Sequence, residues 1–275
     1  MRRIFHRGAT GWTMEVTELP QWQFQVAMLI GLITFTMAWA RGMRRYTPIQ
    51  DLSQAYKALI IGFIGGAILA SALDIWVFRR MYEDLAQDSI YLVEMGALLL
   101  LAGWAEGALC VYLCSRSERK VASAATTTGY AFGIGSAAMT TAVAAVRIFD
   151  PALASIGSDV HGFGVDTIVV SILIGVAAGF TFAPLGSAQG ALARHKERFT
   201  PLVLTGAGRA SVRLCIYLAV LVSPIALGFG LALALWLDAR ANNRWLPSSL
   251  TPLQLRVERR MLKNRKLGYS GIEEE

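Results

Sequence analysis

The sequence predicts an all-α fold, a polytopic transmembrane helix bundle of six or seven spans, and three observations carry that prediction. Six stretches with few or no charges, residues 20–40, 58–78, 89–115, 121–146, 167–193 and 214–237, are each long enough to cross a bilayer. A hydrocarbon core about 30 Å thick needs about 20 helical residues. Only 16% of the 275 residues are charged while 55% are hydrophobic, and the mean hydropathy is +0.47; a soluble domain carries about a quarter charged residues. The connecting segments are too short to hold a folded soluble domain, so one membrane domain with tails is the simplest organisation. Within lipid the backbone must satisfy its own hydrogen bonds, which makes each long apolar run a helix.

Taken in order, the chain opens with an N-terminal tail, residues 1–19, followed by the bundle at 20–237 and a basic C-terminal tail at 238–275. Arg2, Arg3 and Arg7 imitate the basic region of a secretory signal, but the apolar run begins only after Pro20 and is too long for a signal core. The richness in Ala, Gly, Leu and Arg points to a bacterial-type cytoplasmic (inner) membrane.

Lys and Arg accumulate in short cytoplasmic loops. Arg41, Arg44, Arg45 and Lys57 follow the first span, Arg116, Arg119 and Lys120 the third, and Arg194, Lys196 and Arg198 the fifth. The alternate loops are poorer, with Arg79 and Arg80 offset by Glu83, Asp84 and Asp88, and Arg147 by Asp150 and Asp159. The odd-numbered loops therefore face the cytoplasm and the N-terminal tail is external. Six spans would put the strongly basic C-terminal tail outside. Seven spans, with a break near Ser223-Pro224 inside 201–237, would put it inside. Charge favours seven and length favours six; the reading adopted is seven.

The tail itself predicts a helix over about 252–267. Thr251-Pro252-Leu253-Gln254 combines an N-cap, proline at the first helical position and Gln at the capping-box position. Leu253, Val257 and Met261 follow at four-residue spacing among Arg256, Arg259, Arg260, Lys263 and Lys266. Such a helix can lie on anionic lipid head groups; a solvated or partner-bound tail fits equally. Nucleic acid is not an expected partner.

Ionisable groups held within lipid cost at least a few kcal/mol, so they mark sites. Asp74 and Glu94 lie near the outer ends of the second and third spans, where ion pairs with Arg79, Arg80 or Arg147 are expected. Glu106 is deeper. It lies twelve residues from Glu94, about 18 Å along a helix and about 120° around it, so the two carboxylates cannot share one site unaided. Its natural partner is Arg209 or Arg213, entering from the same side. Unpaired, it would be protonated.

The fourth span is a run of small and hydroxyl residues from Thr126 to Thr141. Gly129, Gly133 and Ala137 form a face that lets helix backbones approach closely; a groove lined by the hydroxyls is the functional alternative. Gly175 and Gly179 give the fifth span a similar face, with a kink expected at Pro184. Cys110, Cys114 and Cys215 read as packing residues rather than metal ligands, since His6, His161 and His195 lie outside the spans. No metal and no cofactor is expected.

Trp104-Ala105-Glu106-Gly107-Ala108-Leu109, a short basic loop, and then Thr128-Gly129-Tyr130-Ala131-Phe132-Gly133-Ile134-Gly135 together resemble the layout of PrsW-like, glutamate-type intramembrane peptidases. That family carries Glu-Glu-x-x-Lys/Arg late in one helix, then a Gly-rich helix with Phe-x-x-x-Glu/His, and a later His-x-x-x-Asp/Asn. Here Ala105 takes the first carboxylate position, Leu109 or Cys110 the basic position, and Ser136 follows Phe132. A carboxylate that activates water needs a second group to orient it, so the resemblance implies a catalytically inactive relative.

Three functions therefore stand. The first is a non-catalytic membrane component, meaning a scaffold, assembly factor or complex subunit, with a membrane-protein partner or a second copy of itself. The second is an ion- or proton-linked transporter or channel using Glu106 and the outer acids, and the third a divergent intramembrane peptidase. Whether the chain is an enzyme stays open, with the missing groups pointing to none. The environment of Glu106 discriminates among the three.

Overall fold

The structure, a computed structural model, describes residues 19–47, 49, 52–86, 92–118, 124–155, 160–193 and 199–266. Among these, every regular element is a helix. Helix α1 spans Gln21–Gly42; α2, Ser53–Leu73, passes through a wider π-helical turn at Asp74–Phe78 into α3, Arg79–Ala86. There follow α4 (Leu92–Glu118), α5 (Ala125–Phe149), α6 (Val165–Ala193), α7 (Phe199–Leu221), α8 (Leu227–Arg240) and α9 (Pro252–Lys266). Seven helical segments are long and apolar enough to cross a membrane, with α2 and α3 counted as one. The chain is a multi-pass membrane protein.

Of the two readings of the last apolar region the structure has the seven-span one, with the break at Ser223-Pro224. The stretch 214–237 is not one helix, because the chain turns between α7 and α8. Ser223 is extended (φ −162°, ψ 136°), the conformation that a following proline imposes. Its hydroxyl accepts the Ile225 amide hydrogen at 3.3 Å, capping the short turn Pro224–Ala226. Helix α7 begins at Phe199, so Arg209 and Arg213 fall near its middle rather than ahead of a span.

Helix α5 is the axis of the bundle. Only Met139, Val143, Val146 and Arg147 escape full burial along its length, the signature of a helix surrounded on all sides. Its small residues explain how. A methyl group on Gly129 would overlap the Gly186 carbonyl of α6, and one on Gly133 the Phe182 carbonyl. Ala137 is fully buried in the same core. On another face, Gly62 of α2 abuts the Phe132 carbonyl of α5. Gly175 and Gly179 serve a different contact, taking Thr34 of α1 against the α6 backbone. Helix α6 continues through Pro184 from Val165 to Ala193. Ile60, Ile64, Ile68, Phe229 and Trp236 are exposed on the outer surface, as a lipid-facing rim requires.

The C-terminal tail shares one end of the bundle with the α1–α2 connection. Arg41 pairs with Asp238 at 3.0 Å. Arg45 donates to the Asn242 carbonyl at 2.7 Å and lies 3.7 Å from Glu258. Around this cluster burial pushes the Tyr46 hydroxyl above its ordinary pKa. Helix α9 starts with the capping box read from the sequence: the Thr251 hydroxyl accepts the Gln254 amide hydrogen at 3.3 Å, and Gln254 Oε1 accepts the Thr251 amide hydrogen at 2.9 Å. The helix docks through Gln254, which donates to the Ile49 carbonyl at 3.1 Å, and through buried Glu258. Its apolar row, Leu253 and Val257, stays exposed together with Arg256, Arg259, Arg260 and Lys263. The Lys266 side chain lies outside the described set, as do Arg119, Lys120, Arg194, Lys196 and Arg198.

Candidate functional site

Arg209 and Arg213 are four residues apart on α7 and so project from one face. Thr205 and Tyr217 extend that row by one turn each way, giving α7 a polar stripe in an otherwise apolar span. The stripe meets α4 because both helices carry a glycine at the crossing. A methyl group on Gly103 would overlap the Gly206 carbonyl, and one on Gly206 the Trp104 ring. One turn beyond that crossing α4 presents Glu106.

The structure brings Glu106 together with both arginines. Arg213 Nη2 donates to Glu106 Oε2 at 2.5 Å, and Arg209 Nε lies 3.6 Å from Oε1. All three side chains are at most 3% exposed. Arg213 also lies over the Phe182 ring of α6, 4.8 Å from its centre, a cation–π contact that replaces lost water. Arg209 Nη2 donates to Gln189 Oε1 at 3.3 Å. Gln189 in turn donates through Nε2 to the Thr205 hydroxyl at 2.7 Å and to the Gly107 carbonyl at 3.3 Å. The Thr205 hydroxyl donates to the Pro201 carbonyl at 2.6 Å. A carboxylate, two guanidinium groups and an amide thus tie α4, α6 and α7 together.

This network neutralises Glu106 with positive charge instead of leaving it to water. A general base must reach a proton on water or substrate; here the guanidinium of Arg213 occupies one carboxylate oxygen. The other oxygen, Oε1, is buried without a hydrogen bond among the described residues, as are Nε and Nη1 of each arginine. One carboxylate facing two arginines leaves a net positive charge in the middle of the bundle.

Asp74 and Glu94 belong to separate places. Arg147 of α5 grips Asp74 with two hydrogen bonds, Nε to Oδ1 at 2.7 Å and Nη2 to Oδ2. Asp74 sits in the π-helical turn that opens α2 for this pairing. Glu94 lies 3.7 Å from Arg80 with both side chains more than half exposed, where a pair is worth at most about 1 kcal/mol. Between the Asp74 and Glu106 centres lies a small crevice lined by Thr140, Ala144, Arg147, Arg213 and Tyr217.

The hydroxyls of α5 divide. Thr127 and Thr141 donate to their own helix, to the carbonyls of Ala124 (3.1 Å) and Ala137 (2.9 Å). Thr128, Ser136 and Thr140 are buried without a partner among the described residues. Cys110, Cys114 and Cys215 are buried and form no disulfide. No grouping of three or more His, Cys, Asp or Glu suited to a metal occurs among the described residues.

Gln189 and Thr205 were not singled out by the sequence reading, nor were Gly103 and Gly206. The four-residue spacing of Thr205, Arg209, Arg213 and Tyr217 is the signal that marks Thr205. Gln189 carries a weaker one, as an amide inside a long apolar helix. In comparison with known proteins, no family model, no curated protein and no solved structure matches the chain.

Proposed function

We propose that this chain is a non-catalytic component of a cytoplasmic (inner) membrane, acting as a scaffold, assembly factor or complex subunit. The observation that carries the reading is the closure of Glu106 between Arg209 and Arg213 in a contact that locks three helices. A carboxylate spent in this way holds structure. In the PrsW-like layout that roughly residues 90–140 resemble, a carboxylate activates water; the arginines here are what an inactive relative would need to keep the group buried. The basic α1–α2 connection and the basic tail share one end of the bundle, and positive charge assigns that end to the cytoplasm. There the exposed row of α9 rests on anionic lipid head groups, each nearby cation contributing about 1 kcal/mol.

The test is flux and cleavage against stability. In proteoliposomes carrying an internal pH dye, wild type and Glu106→Gln should show the same proton leak, and neither should cut a membrane-spanning reporter peptide. A proton flux or a cleavage that Glu106→Gln abolishes without loss of folded protein would replace this reading with transport or proteolysis.

One observation favours transport as the second reading. Asp74, Arg147, Tyr217 and Arg213 border a single crevice between the outer ion pair and the Glu106 centre, so polar groups follow one another across part of the bundle. Ion-dependent uptake that fails in Asp74→Asn would favour it.

A further inference from the structure

Helix α8 and the turn before it carry one exposed stripe. Ile225, Phe229, Ala232 and Trp236 follow at steps of three or four residues, which keeps them on one face. Arg240 continues the row, its guanidinium over the Trp236 ring at 5.0 Å from the centre. The π-helical turn Ala241–Trp245 then adds Arg244, which is also exposed. The depth of this junction is set by α1, whose 22 residues span about 33 Å, the thickness of a hydrocarbon core. Arg41 in its last turn pairs with Asp238 at 3.0 Å, so Trp236 lies just inside the bilayer boundary and Arg240 just outside it. The neighbouring acids are already engaged. Asp238 accepts from Arg41 and Asn242, and Glu258 of α9 is buried against Arg45. Helices α1, α8 and α9 contain no other acid.

We propose that this stripe holds one anionic phospholipid, its phosphate at Arg240 and Arg244 and an acyl chain along Trp236, Ala232 and Phe229. The two arginines match a phosphate in charge and in donor geometry. Stacking on Trp236 holds one of them in place before the lipid arrives, which lowers the ordering cost of binding. A soluble anion would answer the arginines alone; the apolar row that runs on from them answers a chain. This goes beyond the contact of α9 with the membrane surface, and it rests on the proposed cytoplasmic placement only for the leaflet in which the lipid is met.

The experiment is tryptophan fluorescence of the full chain in phosphatidylcholine nanodiscs, doped with phosphatidylglycerol or phosphatidylcholine brominated on the acyl chains. Bromine quenches the tryptophans that its chain touches, and subtracting the signal of Trp236→Phe isolates Trp236. Both leaflets of a nanodisc have the same composition, so the outcome depends neither on orientation nor on the role of Glu106. At equal doping, brominated phosphatidylglycerol should quench Trp236 more than brominated phosphatidylcholine does. Arg240→Gln should lower that preference about fivefold, and adding Arg244→Gln should abolish it. Arg256→Gln with Arg259→Gln removes charge from α9 without touching the stripe and should leave the preference unchanged. Inorganic phosphate at constant ionic strength should not displace the lipid. Equal quenching by the two lipids, a preference that survives loss of both α8 arginines, one that vanishes with the α9 pair, or displacement by phosphate would each overturn the proposal.

Discussion

Gly103 of α4 meets the Gly206 carbonyl of α7 so closely that no side chain fits between them. This crossing lies one turn from Glu106 and sets the reach of Arg209 and Arg213. Gly103→Ala should therefore lower stability by about 1–3 kcal/mol, the usual range for overpacking. Gly96, on the same helix, has open space around it, so Gly96→Ala should be neutral or slightly stabilising. Equal melting temperatures for the two variants would contradict the close crossing.

The Glu106 cluster makes a prediction in the form of a cycle. Glu106→Gln leaves two buried cations without their carboxylate and should cost about 3–5 kcal/mol. Adding Arg213→Gln should recover part of that loss, because the closer hydrogen bond at 2.5 Å is to Arg213. Strictly additive losses in unfolding measurements would show that the two side chains are not coupled.

Gly133 packs on the Phe182 carbonyl at the centre of the bundle. Gly133→Leu forces α5 and α6 apart and should prevent a stable fold, judged by aggregation on size-exclusion chromatography. Wild-type elution and melting would place that face against lipid or a cavity.

Topology is open to chemical labelling. The three native cysteines are buried and can be replaced for the assay. A cysteine at position 158 should react with a membrane-impermeant maleimide from outside, and one at position 248, in the exposed turn after α8, should react only after permeabilisation. Labelling of 248 from outside would invert the orientation.

His161 supplies a pH dependence. Burial holds its imidazole below the ordinary value, so the folded state favours the neutral ring. The unfolded chain then binds the proton more readily, and stability falls as pH drops below about 6.5 and levels off below the folded pKa. His161→Gln should flatten this part of the melting-temperature profile. An unchanged profile would assign the slope to other groups.

The sequence by itself determined the helices. Lipid offers the backbone no hydrogen-bond partner, so apolar runs of sufficient length become spans whatever surrounds them. Ser223-Pro224 marks the break between α7 and α8 for an equally local reason, since proline denies the preceding residue a helical conformation. The capping box at Thr251 and Gln254 is local as well. What the tertiary structure decided is lateral order. Hydropathy says nothing of which helix stands beside which, because lipid tails and apolar side chains are alike to it. Small residues, met in pairs only after folding, put α5 at the centre and α4 against α7. That order gave Glu106 two arginines where the sequence required one, engaged Gln189 and Thr205 beside them, and matched Asp74 with Arg147 from a helix 73 residues away.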